Sequence, residues 1–119
     1  MHINTRTLGT QYEEIAAAFL EKKGMRLVKR NYRCPAGEID LIGQDGESLV
    51  FVEIKFRRTS AQGGPLCAVN PAKQRRISRT AVWYLTKERG REDLPCRFDV
   101  VGIQGEKILW VKNAFDARL

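Results

Sequence analysis

The segment 37–56, GEIDLIGQDGESLVFVEIKF, decides the fold of this chain of 119 residues. Its two apolar runs flank Asp45-Gly46, a dipeptide that is typical of tight hairpin turns. We therefore expect two antiparallel strands, over residues 38–43 and 48–56, joined at this dipeptide. Because both runs are rich in Ile, Leu and Val, the hairpin is predicted to lie near the centre of a sheet.

The hairpin brings acidic residues of its two strands to one face. A turn centred on Asp45-Gly46 places Asp40 opposite Phe51 and Glu38 opposite Glu53. Directly opposite residues share a face, and side chains alternate along a strand, so Glu38, Asp40, Glu53 and Lys55 are predicted to point the same way. Asp40 and Glu53 are then diagonal neighbours, with Cβ atoms roughly 7 Å apart. Two carboxylates at that separation can share a divalent ion.

This arrangement suits the hydrolysis of a phosphodiester. Mg²⁺ or Mn²⁺ held by Asp40 and Glu53 would activate a water molecule and neutralise charge on the phosphate. The backbone carbonyl of Ile54, between the two functional positions of the second strand, is a candidate third ligand. Lys55 is the candidate to orient the nucleophile or stabilise the pentavalent state. The pattern therefore predicts a metal-dependent nuclease site.

Simpler interpretations of the same residues remain open. Lys55 could pair with Glu53 or Asp40 as a surface ladder, or the whole face could be solvated. Glu38 is either a metal-proximal acid or a carboxylate held by Arg33 or Lys55. A bare Glu-x-Lys is weak evidence, but burying acids in a central hairpin costs several kcal/mol unless a cation compensates them. The acid on the partner strand and the basic background favour the nuclease-like interpretation.

The rest of the chain predicts a mixed sheet flanked by two helices. Apolar residues from Tyr12 to Leu20 recur at helical spacing until Gly24. A second helix begins at Asn70-Pro71 and ends at Gly90. The remaining strands are expected over residues 26–33, 98–103 and 107–111. The order α-β-β-β-α-β-β is of the α/β (mixed α+β) class, and we expect a single domain over residues 1–119.

The charge of the chain indicates a polyanionic partner. Lys and Arg number 21 against 14 acidic residues, which gives a formal net charge of +7. Such an excess is typical of proteins that bind nucleic acid, although solubility alone could account for it. The basic residues nearest the candidate site would contact the phosphate backbone without reading its sequence, or they form a solvated face. They are Arg57, Arg58, Lys73 and Arg76.

The sequence offers little support for other classes of protein. The N-terminus lacks the apolar stretch of a signal peptide, and the longest apolar run, 49–52, is too short to span a bilayer. We therefore expect a cytoplasmic protein with no membrane partner. The three cysteines, Cys34, Cys67 and Cys96, lie far apart, and neither a disulfide framework nor a zinc site is indicated.

Glu13 in the first helix can be interpreted in two ways. It could reach the metal cluster as an additional ligand or base. Thr10 and Glu13 also have the spacing of a capping box, in which the glutamate bonds back to the N–H of the first residue. The residues alone favour the cap.

The chain resembles the YraN family of uncharacterised bacterial proteins over nearly its whole length. The GEIDLI and FVEIK stretches of segment 37–56 carry the resemblance, with Asn31-Tyr32-Arg33 before them and the RFDVV stretch at 97–101 after them. The resemblance implies a restriction-endonuclease-like fold similar to archaeal Holliday-junction resolvases. It matches Asp40, Glu53 and Lys55 to the nuclease motif and Glu13 to the first-helix acid of those resolvases. Tyr12 stands where the family often has Gly.

The sequence as a whole therefore predicts a metal-dependent DNA endonuclease, with branched or otherwise structured DNA as a candidate substrate. DNA is a better candidate than RNA. A homodimer is expected for an enzyme that cuts two strands, because two cuts require two sites. The rival hypothesis is a non-catalytic module that keeps the fold and the basic surface and binds nucleic acid or a protein partner.

Overall fold

Two helices and five strands follow one another in the order that the sequence predicts. The computed structural model describes residues 5–57 and 69–119, with side chains from Gly9 onward. Arg58 and Cys67, on which two of the sequence predictions fall, lie outside the described residues. The elements are α1 (Thr5–Lys22), β1 (Arg26–Cys34), β2 (Gly37–Asp45), β3 (Ser48–Phe56), α2 (Pro71–Tyr84), β4 (Cys96–Gln104) and β5 (Lys107–Phe115).

The five strands form one mixed sheet in the order β1-β2-β3-β4-β5. Neighbouring strands are antiparallel except β3 and β4, which are parallel and are connected across α2. Each helix buries its apolar residues against one face of the sheet. Ala16, Ala17 and Leu20 of α1 pack on one face, and Ile77, Ala81 and Tyr84 of α2 pack on the other. Neither helix, within the described ranges, is long and apolar enough to cross a bilayer.

The hairpin of β2 and β3 forms, but its turn lies one residue later than predicted. Asp45 pairs with Ser48, so Gly46 is the first turn residue, and its φ of 62° is the positive value that a glycine adopts readily. The predicted pairing of Asp40 with Phe51 is therefore wrong, and Phe51 faces Ile42. The register moves by an even number of residues, so this shift by itself does not change the predicted division of side chains between the two faces.

The first helix begins earlier than its apolar pattern indicates. It starts at Thr5, so Thr10 and Glu13 both lie inside it. The predicted capping box is therefore wrong, because a capping residue must have the non-helical backbone found just before a helix. At the other end of the fold, α2 begins as predicted, with the Asn70 side chain accepting a hydrogen bond from the Lys73 N–H. A π-helical turn, Leu85–Arg89, then continues α2 to Gly90.

Candidate active site

Four of the predicted site residues, Asp40, Glu53, Lys73 and Arg76, line a cavity between the hairpin and the first turns of α2. The cavity has a volume of about 330 Å³. The sheet contributes acidic residues to its wall, and α2 contributes basic ones. Its lining consists of Gly37, Glu38, Asp40, Glu53, Lys73, Arg76 and Ile77.

Asp40 lies where the regular alternation of β2 breaks. Ile39 and Ile42 both pack on the α2 side of the sheet, whereas Leu41 packs on the α1 side. Strict alternation would put Ile39 and Leu41 on the same face. The break coincides with Asn31, which faces Asp40 in the register of β1 and β2 and has a φ of 51°. The irregularity lets the Asp40 carboxylate turn toward the end of β3.

The Asp40 carboxylate takes the place of a backbone carbonyl of β2 as the hydrogen-bond acceptor for β3. The ladder between β2 and β3 ends at the pair Leu41 and Val52, and beyond it the Ile54 N–H donates to Asp40 Oδ2 at 2.8 Å. Because the N–H and C=O of one strand residue point to the same side, the Ile54 carbonyl also faces the β2 side. The position of that carbonyl agrees with its predicted role as a ligand, which remains a prediction.

Burial and a second acid make Asp40 hard to ionise. Burial, followed by the negative charge of Glu53, raises the pKa of Asp40 to about 7. The charge of Glu13 acts in the same direction, while the Ile54 N–H and the Lys73 ammonium oppose it. The two carboxylates of the hairpin therefore repel each other across the cavity, as acids do when they share a site.

Glu53 is held by two lysines. Its residue is 8% exposed, and its Oε1 lies 2.7 Å from Lys73 Nζ and 3.5 Å from Lys55 Nζ. The pair of Lys55 and Glu53 considered from the sequence thus forms, but its side chains are only 18% and 10% exposed, so it is not a surface ladder. Lys73 thus contacts a site carboxylate, and its predicted contact with a nucleic-acid backbone stays a prediction.

The two lysines differ in how readily they give up a proton. Burial and the neighbouring Lys73 ammonium lower the pKa of Lys55 below its usual value. Burial also opposes the charge of Lys73, but its contact with Glu53 outweighs that effect and raises the pKa of Lys73. Lys73 is therefore the stronger partner of Glu53.

Glu13 lies beside the site and not within the same cavity. Asn31 Nδ2 donates to Glu13 Oε2 at 3.1 Å, and both residues line a second cavity of about 490 Å³. Glu13 is nonetheless near enough to Asp40 to raise its pKa. Tyr12 stacks on Phe56 of β3, with ring centroids 4.0 Å apart, so its bulk serves to pack α1 on the sheet.

Glu38 and Arg76 line the cavity, and Arg57 is the residue that directly follows β3. Glu38 accepts a hydrogen bond from Arg33 at 3.1 Å in an exposed ion pair, which agrees with the second of its two interpretations. Arg76 lines the cavity from α2. Arg57 follows the site on β3, and its Nε is buried without a hydrogen-bond partner among the described residues. A buried guanidinium nitrogen without an acceptor suits an incoming anion.

The donors present fit Mg²⁺ or Mn²⁺ only as a partial ligand set. The described residues contain no group of three or more Asp, Glu, His or Cys side chains that could hold an ion. Mg²⁺ is usually bound by one or two carboxylates, with water and substrate phosphates as its other ligands. Asp40, Glu53 and the Ile54 carbonyl meet that requirement.

Sequence reasoning missed the contact of Lys73 with Glu53 and the place of Asn31 beside Glu13. Lys73 contacts Glu53, and the signal available was the helix start at Asn70-Pro71, which puts Lys73 in the first turn above the hairpin. Asn31 holds Glu13 and breaks the alternation of β1. Asn is one of the few residues that readily adopt positive φ, so an Asn in the middle of a predicted strand was a usable signal.

Comparisons with known proteins find a close relative over nearly the whole chain and weaker likenesses among solved structures. A UPF0102 protein of Nitrosococcus oceani is 46% identical over 114 residues, which are 92% of each chain. Among solved structures, a chain of the EndoMS–dsDNA2 complex matches 73% of this chain and 33% of its own length, with 24% identity and a TM-score of 0.43. SfsA of Pyrococcus furiosus, solved with Ca²⁺, matches 92% of this chain and 64% of its own, with 16% identity and a TM-score of 0.37.

A family profile also matches most of the chain. The profile described as "Uncharacterised protein family UPF0102" covers residues 12–103, which include the hairpin, α2 and most of β4. Asp40, Glu53, Lys55 and Lys73 all fall within this range. The match confirms the predicted YraN relationship, and the chain belongs to the uncharacterised protein family UPF0102.

Proposed function

We propose that this protein is a Mg²⁺- or Mn²⁺-dependent DNA endonuclease whose reaction centre consists of Asp40, Glu53 and Lys55. The observation that carries the proposal is the pairing of two mutually repelling carboxylates in one cavity, with a lysine beside them. Two such acids are costly to keep ionised without a cation. A divalent ion is the partner that satisfies both of them.

Each residue of the chain has a distinct role in this proposal. Asp40, Glu53 and the Ile54 carbonyl hold the ion, which when bound lowers the pKa of a coordinated water and neutralises phosphate charge. Lys55 orients the attacking water or stabilises the extra negative charge on the phosphate. Glu13 is near enough to influence Asp40 and acts as a supporting acid or base.

The basic rim supports a nucleic-acid substrate. Arg76 lines the cavity, and Arg57 has a buried guanidinium nitrogen without a hydrogen-bond partner in the described part of the chain. Such groups contact phosphates without reading the sequence, so the proposed enzyme would select DNA by its structure. Branched DNA is the first candidate. We expect a homodimer on any substrate that is cut on both strands.

One observation favours the rival function. Lys73 and Lys55 already provide Glu53 with cationic partners, so this carboxylate is paired without any metal. A non-catalytic nucleic-acid-binding module could keep the same residues as a purely structural ion-pair cluster. The rival predicts binding without cleavage under every ionic condition.

The deciding experiment is a cleavage assay. Labelled linear duplex, single-stranded, flap and four-way-junction DNA would each be incubated with the protein, with Mg²⁺, with Mn²⁺ and with EDTA. Asp40→Ala and Glu53→Ala test the site, and Glu106→Ala, an exposed acid in the turn between β4 and β5, is the matched control. We expect metal-dependent cleavage that both site variants lose by at least about a hundredfold and the control retains.

Two outcomes would overturn the proposal. Binding of DNA without cleavage by the wild-type protein on all four substrates would favour the non-catalytic module. Cleavage that survives in both Asp40→Ala and Glu53→Ala would mean that the reaction centre lies elsewhere. The same assay with a single-stranded RNA and an RNA hairpin tests the preference for DNA.

A further inference from the structure

We propose that Lys73 is an internal counter-ion of Glu53 that a divalent ion must displace, and that the displaced ammonium then binds the substrate phosphate. The inference rests on the proposed function in one respect, because it assumes that the ion binds at Glu53. It adds a consequence that the proposed function lacks: metal and phosphodiester should bind cooperatively, and Lys73 should be the residue that couples them.

The contact between Lys73 and Glu53 occupies a metal ligand. Lys73 Nζ lies 2.7 Å from Glu53 Oε1, closer than Lys55 Nζ at 3.5 Å from the same oxygen. An ammonium ion in direct contact with a carboxylate oxygen takes the position that a divalent cation would need. A divalent cation bound to the same carboxylate would repel this ammonium at short range, so metal binding should drive the Lys73 side chain away from Glu53.

The backbone of Lys73 is fixed while its side chain can swing. Asn70 caps α2 by accepting from the Lys73 N–H at 2.9 Å, and the Gln74 N–H donates to the Asn70 carbonyl at 2.9 Å. The helix start is therefore anchored. The four-carbon stem of a lysine is flexible, so its ammonium can leave Glu53 for a nearby anion without any change in α2.

The charge of the cavity explains why substrate should assist this movement. Asp40 and Glu53 are balanced by Lys55 and Lys73 when all four groups are ionised, so adding a divalent ion leaves an excess of positive charge. A phosphodiester supplies the missing negative charge and gives the Lys73 ammonium a new partner. Each of the two ligands should then increase the affinity for the other, as linkage requires.

The test measures metal binding without any cleavage. Mn²⁺ affinity at pH 8 would be determined by calorimetry for the wild-type protein, K73Q and the control R75Q. Arg75 is an exposed cation of the same helix, and two residues along a helix it points to another side. Removing the competing ammonium should tighten Mn²⁺ binding by about tenfold in K73Q and by less than about twofold in R75Q.

A second measurement tests the coupling. A short non-hydrolysable phosphorothioate DNA should tighten Mn²⁺ binding to the wild-type protein, and K73Q should lose most of that effect. E53Q in the K73Q background should abolish the tightened binding, which locates it at Glu53. K73M, which keeps the apolar stem, replaces K73Q should the glutamine variant fail to fold by circular dichroism.

The outcomes separate this inference from the proposed function. Equal or weaker Mn²⁺ binding by K73Q and K73M overturns the counter-ion role, even in a protein that cuts DNA. Tighter Mn²⁺ binding by K73Q upholds the role, even in a protein that cuts no DNA and is therefore not the proposed endonuclease. An absence of Mn²⁺ binding in every variant overturns the inference as well.

Discussion

Asp40 and Asp99 are two aspartates within the same sheet whose surroundings differ. Asp99 is 0% exposed and accepts hydrogen bonds from Arg97 Nε at 3.0 Å, Trp110 Nε1 at 2.8 Å and the Asn113 N–H at 2.9 Å. It fills an irregular stretch of the pairing between β4 and β5, where the register shifts and Asn113 has a φ of 53°. The chain itself therefore provides Asp99 with a full set of donors.

Asp40 receives much less from the chain. Among the described residues its one hydrogen-bond donor is the Ile54 N–H, and the charge that acts on it most strongly is the like charge of Glu53. Asp99 is fully buried and Asp40 is half-buried, so the more buried of the two is also the one with more hydrogen-bond donors. What distinguishes them is whether cations and N–H groups of the protein compensate the charge. An aspartate whose charge is compensated by groups of the protein stabilises the fold, whereas an aspartate without such compensation is a candidate for binding a ligand.

The largest expected effect is on stability at Asp99. Asp99→Asn removes the charge that pairs with Arg97 and turns an amide N–H₂ toward groups that can only donate. We expect a loss of about 3–5 kcal/mol in the free energy of unfolding, measured by guanidinium denaturation, because one partner of a buried ion pair is removed. The same substitution at Asp40 should change the free energy of unfolding by less than about 1 kcal/mol at pH 8. Equal losses at the two positions would remove the distinction between them.

A second prediction concerns the packing that forms the Asp40 cavity. Gly37 has a φ of 148°, and a Cβ there would lie 3.0 Å from Thr80 Oγ1, which donates to the Arg76 carbonyl at 2.7 Å. Gly37→Ala should therefore push α2 away from β2, lower the free energy of unfolding by about 1–3 kcal/mol and weaken Mn²⁺ binding.

Gly46→Ala is the matched control for this prediction. Gly46 also has a positive φ, of 62°, but a Cβ there would contact nothing within 4 Å. Gly46→Ala therefore introduces backbone strain without a steric contact, and it should leave the Mn²⁺ affinity unchanged. If Gly46→Ala weakened Mn²⁺ binding as much as Gly37→Ala, the contact with Thr80 would have no part in shaping the site.

The contrast also shows which features the sequence could predict. The order of the elements and the shared face of Glu53 and Lys55 follow from periodicity and from one turn dipeptide, which are local signals. The register of the hairpin was mispredicted because it depends on the position within the turn of Gly46, the residue that adopts positive φ. The backbone conformation of the turn determines this position, and the amino-acid composition of the segment gives little indication of it.

The contacts between distant elements were beyond the sequence. Lys73 meets Glu53 only because the crossover through α2 sets the helix start over the end of β3. Asp99 meets the Asn113 N–H only because the pairing of β4 with β5 is irregular. Both depend on tertiary packing, which is why Lys73 was assigned to the basic surface and Asp99 to no role.

A third prediction uses the pH dependence of the metal-free protein. The pKa of Asp40 is raised to about 7, so the folded state binds more protons than the unfolded state between pH 7 and the ordinary aspartate value of about 3.9. Stability should therefore increase as the pH falls from 8 to 5. We expect a gain of about 1–2 kcal/mol relative to Asp40→Asn, well below the roughly 4 kcal/mol that the full shift would imply, because solvent reaches the cavity.

Thermal or chemical unfolding at several pH values, without metal, would measure this gain. Saturating Mn²⁺ should reverse the trend if the ion binds the ionised carboxylate, since protons then compete with it. In metal-free buffer, the free energy of unfolding of the wild-type protein and of Asp40→Asn could change with pH in parallel. That result would mean that Asp40 ionises normally and that Glu53 does not raise its pKa.

The smallest expected effect is at Asp45. Its carboxylate contacts the guanidinium of Arg97 on the more exposed side, and the buried Asp99 contacts the same guanidinium. Arg97 Nη2 lies 2.7 Å from Asp45 Oδ2, and the Asp45 side chain is 29% exposed. The hydrogen bond from Arg97 lowers the pKa of Asp45, so the stability it contributes is present above the ordinary aspartate pKa and is lost as the pH falls through the lowered value. Asp45→Asn should cost about 0.5–1 kcal/mol at pH 7, and the cost should shrink in high salt and in acid. Urea denaturation at low and high ionic strength measures it. A loss as large as that of Asp99→Asn would show that Arg97 depends equally on both carboxylates. The number of hydrogen bonds to the guanidinium would then determine the stability of this part of the sheet, and the burial of the carboxylate partner would not.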